Sequence, residues 1–215
     1  MKIALLAATG MIGQRILNEA LSRGHHVTAV VRDPAKVAAK HPNLEVKTAD
    51  ALKPETLSAA FAGSDAVISS YGPPVTEPQK LVAAVKSASE AVAAASKASG
   101  RAIRLIVVGG AGSLEVAPGL QLVDAPTFPD AWKPVALAGR DSFAALRAAP
   151  IDWTYVSPAA LIQPGERTGK FRIGADQLLT DAKGESRISA EDYAVALIDE
   201  IEKPQHIRKR FTVAY

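Results

Sequence analysis

Apolar residues along this chain gather in short, β-branched runs, and the stretches between them carry the three-to-four-residue spacing of amphipathic helices. Runs at Ile3 to Ala7, His26 to Val31, Leu44 to Thr48, Ala66 to Ser69, Ile103 to Val108 and Trp153 to Val156 predict strands. Helical patterns fall at Met11 to Arg23, Pro54 to Phe61, Glu77 to Ser99, Pro134 to Ala148 and Ala190 to Glu202. Strands that read as continuous apolar runs are buried on both faces, and a parallel crossover needs about a dozen residues, usually a helix. The pattern therefore predicts an α/β fold, a doubly wound parallel sheet with helices on both faces. With 215 residues, one domain spanning 1–215 is expected.

Local chemistry fixes several boundaries. Gly24 and Gly100 stand where left-handed helix caps belong, Asp33-Pro34 reads as an N-cap with proline at the first helical position, and Ser189 reads as the N-cap of the last helix. Two stretches, 111–134 and 157–183, are rich in proline and glycine and read as irregular loops. Both are expected to fold over one crevice on the substrate side, because long loops in compact domains commonly carry function.

Composition narrows the chemistry. Apolar residues make up 48% of the chain and aromatic ones only 5%, so the core must be packed from small aliphatic side chains. Basic and acidic residues nearly cancel, 25 against 22, and the one dense basic run, His206 to Arg210, is too short to argue for a nucleic-acid surface. There is no cysteine, which excludes disulfides and thiolate chemistry, and the four histidines have no metal-ligand spacing, so no metal is expected. The Ala-rich stretch from Leu81 to Ala98 is interrupted by Lys86, Glu90 and Lys97 and cannot supply the roughly 20 apolar residues of a membrane span. A cytoplasmic protein with no membrane partner is the expectation.

The first strand runs through Ala7, Ala8, Thr9, Gly10, Met11, Ile12 and Gly13 straight into a helix. In a dinucleotide fold, a turn of this kind brings backbone N–H groups and the positive helix end against a pyrophosphate, and side chains there must be small. Gly10 permits the close approach and Gly13 the packing of helix on strand, while Ala7 replaces the usual first glycine. The second strand ends at Arg32 and Asp33, about 20 residues on, where the adenosine ribose is read. An acid there would accept from a free 2′-OH; Arg32, with Lys36 a turn later on a following helix, suits a 2′-phosphate, so NADP(H) is favoured over NAD(H). Asp50 and Ala51 after the third strand are expected near the adenine. Ser70, Tyr71 and Gly72 after the fourth are expected at the nicotinamide ribose.

On these residues the chain resembles the atypical short-chain dehydrogenase/reductases, specifically the NAD(P)-binding group that includes NADH-flavin reductases, biliverdin reductase B and NmrA-like proteins. Besides the glycine turn, the resemblance is carried by Val31-Arg32-Asp33-Pro34, Val107-Val108-Gly109-Gly110-Ala111-Gly112-Ser113-Leu114, Asp152-Trp153-Thr154 and Val156-Ser157-Pro158. It implies a Rossmann-like sheet with a small C-terminal cover segment and a bound NAD(P)(H), with Gly109, Gly110 and Pro158 also on the cofactor, and it places Ser113 where related enzymes carry a catalytic serine. The Tyr-x-x-x-Lys pair of ordinary members is missing: Asp130 to Leu137, the expected region, holds no Tyr four residues before a Lys.

Hydride transfer without that pair suits an acceptor that stabilises its own negative charge, such as a flavin or quinone, since the protein then mainly positions the reactants. Tyr71, Pro73, Leu114, Phe128 and Trp132 are the expected acceptor-side residues. The expected function is an NAD(P)H-dependent reductase acting on a small-molecule acceptor. The alternatives are an NmrA-like regulator that senses NADP(H), or an epimerase or dehydratase with tightly held cofactor. The sequence leaves a homodimer open.

Overall fold

The computed structural model describes residues 1–215. Its central sheet is built from β1 (Lys2–Leu6), β2 (His26–Val31), β3 (Leu44–Thr48), β4 (Ala66–Ser69) and β5 (Arg104–Val108). Beyond them, β6 (Glu115–Ala117) and β7 (Leu120–Gln121) form a small hairpin. The chain then gives β8 (Trp153–Pro158), β9 (Leu161–Gln163), β10 (Arg172–Gly174), β11 (Arg187–Ser189) and β12 (Lys209–Ala214). The helices are α1 (Met11–Ser22), α2 (Pro54–Phe61), α3 (Lys80–Ser99), α4 (Lys133–Arg147) and α5 (Ala190–Glu202). The eight-stranded sheet has the order β10-β12-β8-β5-β4-β1-β2-β3, with every ladder parallel except β10 on β12. This is the Rossmann-like doubly wound arrangement that the run pattern predicts. Its order reverses between β1 and β4, and ligands of open α/β sheets bind at such a switch point.

The side-chain alternation of the strands divides the core in two. Ile3, Leu5, Val27, Ala29, Ile106 and Val156 face α1 and α5, where they meet Ile16, Tyr193 and Leu197. Ala4, Leu6, Val30, Val67, Leu105 and Tyr155 face the other way, onto Leu57, Phe61, Ala84, Ala88 and Val92 of α2 and α3. The alanines of α3 let that helix lie close to the sheet, which is how a chain with few aromatics fills both layers.

Several expectations are corrected by the coordinates. The long helix begins at Lys80 rather than Glu77, because residues 77–79 form turns whose Glu77 pairs with Lys80 at 2.6 Å. Asp33 does cap, its carboxylate accepting from Ala35 N–H at 3.1 Å, but the segment it caps is a three-residue 3-10 turn, Pro34–Lys36, and not an α-helix. The stretch 111–134 is not a loop throughout: it holds the β6–β7 hairpin and two 3-10 turns, Leu122–Asp124 and Asp130–Trp132. The stretch 157–183 contains the end of β8, β9 and β10. The basic run leads into β12, whose Phe211, Val213 and Ala214 are buried in the core. Ser189 caps α5 by accepting from Asp192 N–H at 3.0 Å, and Gly24 and Gly100 take φ of +79° and +66°. No helix is long and apolar enough to cross a membrane.

The cover segment is tied down by charge. Glu19 on α1 is buried and receives both Arg167 (2.7 and 2.8 Å) and Arg23, and the Arg167 hydrogen bonds hold its carboxyl below the usual range. Asp192, fully buried at the start of α5, accepts from Gly169 N–H (2.7 Å), the Thr168 hydroxyl (2.5 Å) and the Tyr215 phenol (2.8 Å).

Candidate functional site

At the switch point a cleft of about 580 Å³ runs along the carboxyl ends of β1, β2 and β4. It is formed by the turn between β1 and α1 (Ala7, Thr9, Gly10, Met11, Ile12), by Arg32, Asp33 and Lys36 beyond β2, and by Ala51, Ser70, Tyr71 and Gly72. Leu6, Val30, Val31 and Ala49 form its apolar floor. These last were not among the expected residues, although each lies within two positions of one that was.

The turn is built to present backbone. Ala7 sits in the left-handed region with φ +61°, and its carbonyl accepts from Gly10 N–H at 3.1 Å. Ser70 Oγ donates to the carbonyls of Leu6 (2.8 Å) and Ala7 (3.2 Å), fastening the end of β4 to the turn. Gly13 lies beneath it and does not line the cleft: a Cβ there would collide with the Ala7 carbonyl oxygen and stand 2.8 Å from Ser70 Oγ. In α1 the first amide bonded within the chain is that of Gln14, onto Gly10, so the N–H groups of Met11, Ile12 and Gly13 keep their hydrogen-bonding capacity. No side chain caps this helix and its first turn has no acid. Free N–H groups, a helix dipole and the absence of competing carboxylates make an anion cradle.

Across the cleft, Asp33 is occupied by Ala35 N–H, whereas Arg32 and Lys36 enter no ion pair or side-chain hydrogen bond. Tyr71 is half-buried beside them. Burial pushes its phenol above the ordinary value, and the nearby Arg32 and Lys80 oppose that rise.

Other expected site residues lie elsewhere. Asp50 does not line the cleft; its carboxylate accepts from Leu52 N–H at 3.0 Å. Pro73 is half-buried just past the cleft wall. Gly109 and Gly110 follow β5, and Gly109 has no room for a Cβ because the Tyr155 ring covers it. Pro158 ends β8 in register with Val213. Ser113 is 3% exposed, and its Oγ accepts from Arg210 at 2.8 Å across a separate groove. Leu114 is 0% exposed and belongs to the interior. Phe128 is half-buried, and Trp132 is 59% exposed on the 3-10 turn before α4. No residue of 111–134 or 157–183 lines this cleft; the two stretches pack on α4, β12, α1 and α5.

Three of the four tyrosines are committed to the scaffold. Tyr155 donates to Gly139 C=O (3.1 Å) and accepts from Gly110 N–H (3.3 Å), and Tyr193 donates to Val156 C=O (2.6 Å). Tyr215 bonds Asp192 and Ser189, and burial raises the phenols of Tyr155 and Tyr193. No group of three or more His, Cys, Asp or Glu side chains is placed to hold a metal ion.

A glycine turn feeding a helix N-terminus at the switch point of a doubly wound sheet defines a nucleotide-binding Rossmann-like protein. Residues 7–204 match the NAD(P)H-binding family, and the chain belongs to it. Among solved structures, a protein from Burkholderia pseudomallei provisionally described as exported is 50% identical over the whole of both chains, with a TM-score of 0.87. One from Bacteroides thetaiotaomicron, provisionally described as an epimerase, is 41% identical with a TM-score of 0.91, covering all of this chain and 96% of that one. A third, from Streptococcus pneumoniae, provisionally described as an NADH-flavin reductase, is 36% identical with a TM-score of 0.88 over 100% and 99%. These likenesses place the chain in the atypical short-chain dehydrogenase/reductase group, among NAD(P)-dependent oxidoreductases and epimerase-like proteins.

Proposed function

We propose that this protein is an NADPH-preferring reductase that passes hydride to a flavin, quinone or similar conjugated small molecule. The observation that carries the cofactor preference is the contrast at the end of β2: Asp33 is spent on a backbone cap, while Arg32 and Lys36 line the cleft unpaired. A 2′-phosphate offers them charge-assisted hydrogen bonds that a 2′-hydroxyl cannot. The cradle fits the rest of the cofactor, with the N–H groups of Met11, Ile12 and Gly13 available to the pyrophosphate and the apolar floor available to the adenosine.

When bound, the dihydronicotinamide supplies a hydride, and the acceptor gains that hydride plus one proton. Apart from Tyr71, every phenol is internal or bonded to the scaffold, and the Tyr-x-x-x-Lys pair is missing. The chain's contribution is then to hold the cofactor and keep the acceptor against it, with the proton drawn from water. An acceptor whose reduced anion is delocalised meets that requirement. Tyr71, Pro73, Phe128 and Trp132 are the side chains proposed to meet it. A cytoplasmic location accords with this chemistry.

Turnover decides the matter. Purified protein mixed with NADPH should lose nicotinamide absorbance only when a flavin or quinone is added, and more slowly with NADH. Tight NADPH binding with no acceptor-dependent oxidation across a panel of such compounds would instead support a cofactor-sensing role.

A further inference from the structure

A second concavity lies on the other side of the sheet's centre. It measures about 810 Å³ and shares no residue with the nucleotide cleft. One wall is the outer face of α4, with Arg140, Phe143 and Arg147; the other is the start of β12, with Arg208, Lys209 and Arg210. The groove opens at the start of β12, where Lys209 is exposed and Arg210 forms the floor; from Phe211 to Ala214 the strand is buried on both faces.

Five cations line this groove against two acids, Glu115 and Asp176. Arg210 is a fixed floor: its side chain is 6% exposed, it binds Asp176 (2.6 Å) and the Ser113 hydroxyl (2.8 Å), and its guanidinium lies 4.8 Å from the centre of the Phe143 ring. Arg140 and Arg208 hold surface acids, Asp124 at 3.2 Å and Asp152 at 3.0 Å. Exposed pairs of this kind contribute little in water, so an incoming anion displaces them readily. Arg147 and Lys209 have no acidic partner at all; Arg147 only approaches the Phe143 ring at 5.8 Å. Arg208 takes φ +55°, a conformation that bulky side chains avoid, and its N–H bonds Trp153 C=O.

From these features the geometry points to a second ligand site between α4 and β12, for a small molecule carrying several phosphate charges. The concave shape favours such a ligand over a flat macromolecular surface, and the spread of the cations over two elements favours more than one anionic group. Arg147 and Lys209 are its primary contacts, and Arg140 and Arg208 are recruited from their acids. This site is independent of the cofactor reading, since the two cavities have no common residue.

Tripolyphosphate is the probe, titrated calorimetrically into the full chain. A saturable isotherm is expected, weakened at least tenfold in Arg147→Glu/Lys209→Glu and unchanged in Arg32→Ala/Lys36→Ala. Both substituted pairs lie at the surface, and circular dichroism checks that each variant folds. Binding abolished by the Arg32/Lys36 pair alone would assign the anion to the nucleotide cleft and overturn the proposal. So would the absence of saturable binding, or tight binding of an oligonucleotide that tripolyphosphate does not displace.

Discussion

Gly13 and the carbonyl of Ala7 are packed so closely that no side chain fits between them. Helix α1 can press against the end of β1 only because that position is glycine. Gly13→Ala must push the helix away or distort a turn that Ser70 also grips from β4. Overpacking of this kind costs about 1–3 kcal/mol. Chemical denaturation should show that loss, and NADPH affinity should fall with it; full retention of both would remove the turn from the cradle.

Arg32→Ala should weaken NADPH binding by about 1.5–3 kcal/mol, the usual worth of a hydrogen bond to a charged group, and leave NADH binding nearly unchanged. Lys36→Ala should act in the same direction and less strongly, since an ammonium makes a single-point contact where a guanidinium makes a fork. Fluorescence titration with both cofactors measures the difference. Equal losses for the two would show that Arg32 does not read the 2′ position.

Ala7 holds a left-handed conformation that costs an alanine about 1 kcal/mol and a glycine almost nothing. Ala7→Gly should therefore leave the protein as stable as before or more stable by up to about 1 kcal/mol, part of the gain being offset by the looser unfolded chain. Ala7→Val, β-branched in the same conformation, should destabilise. Thermal melts of the pair test the sign, and a large loss with glycine would contradict the geometry.

The buried Glu19 carboxylate is held below its ordinary value by Arg167 and Arg23. A depressed folded-state value means that the charged form stabilises the fold at neutral pH, and that this contribution fades as pH falls below the unfolded value of about 4.3. Glu19→Gln should cost about 1–3 kcal/mol at pH 7, toward the lower end because Arg167 is half in water, and little once the wild-type carboxylate is protonated. Limited proteolysis at 164–170 should accelerate in the variant. A stability difference independent of pH would show that the pairing contributes nothing.

The parallel strands were readable because residues such as Ile3 to Leu6 and Leu105 to Val107 are covered on both faces and so appear as unbroken apolar runs. Much of the cleft's lining was readable for a related reason: the residues just after the strands of a doubly wound sheet collect at the switch point, wherever the helices go. β12 was hidden because its first two residues, Lys209 and Arg210, prolong the basic run and mask the buried Phe211 to Ala214 behind it. The strands β9 and β10, three residues each, owe their pairing to partners far along the chain rather than to their own composition. Ser113 and Leu114 illustrate a different difficulty. A motif places them after β5, but only the tertiary contacts with Arg210 and the interior reveal which way they turn.

Every residue lining the nucleotide cleft falls between Leu6 and Gly72, the first third of the chain. Nothing after β4 and its loop contributes to it. The segments beyond can therefore diverge in length and sequence while the cradle stays as it is. For protein engineering, the same separation means that changes in the 111–134 segment, which the proposed reductase reading sets on the acceptor side, should leave cofactor affinity where it is.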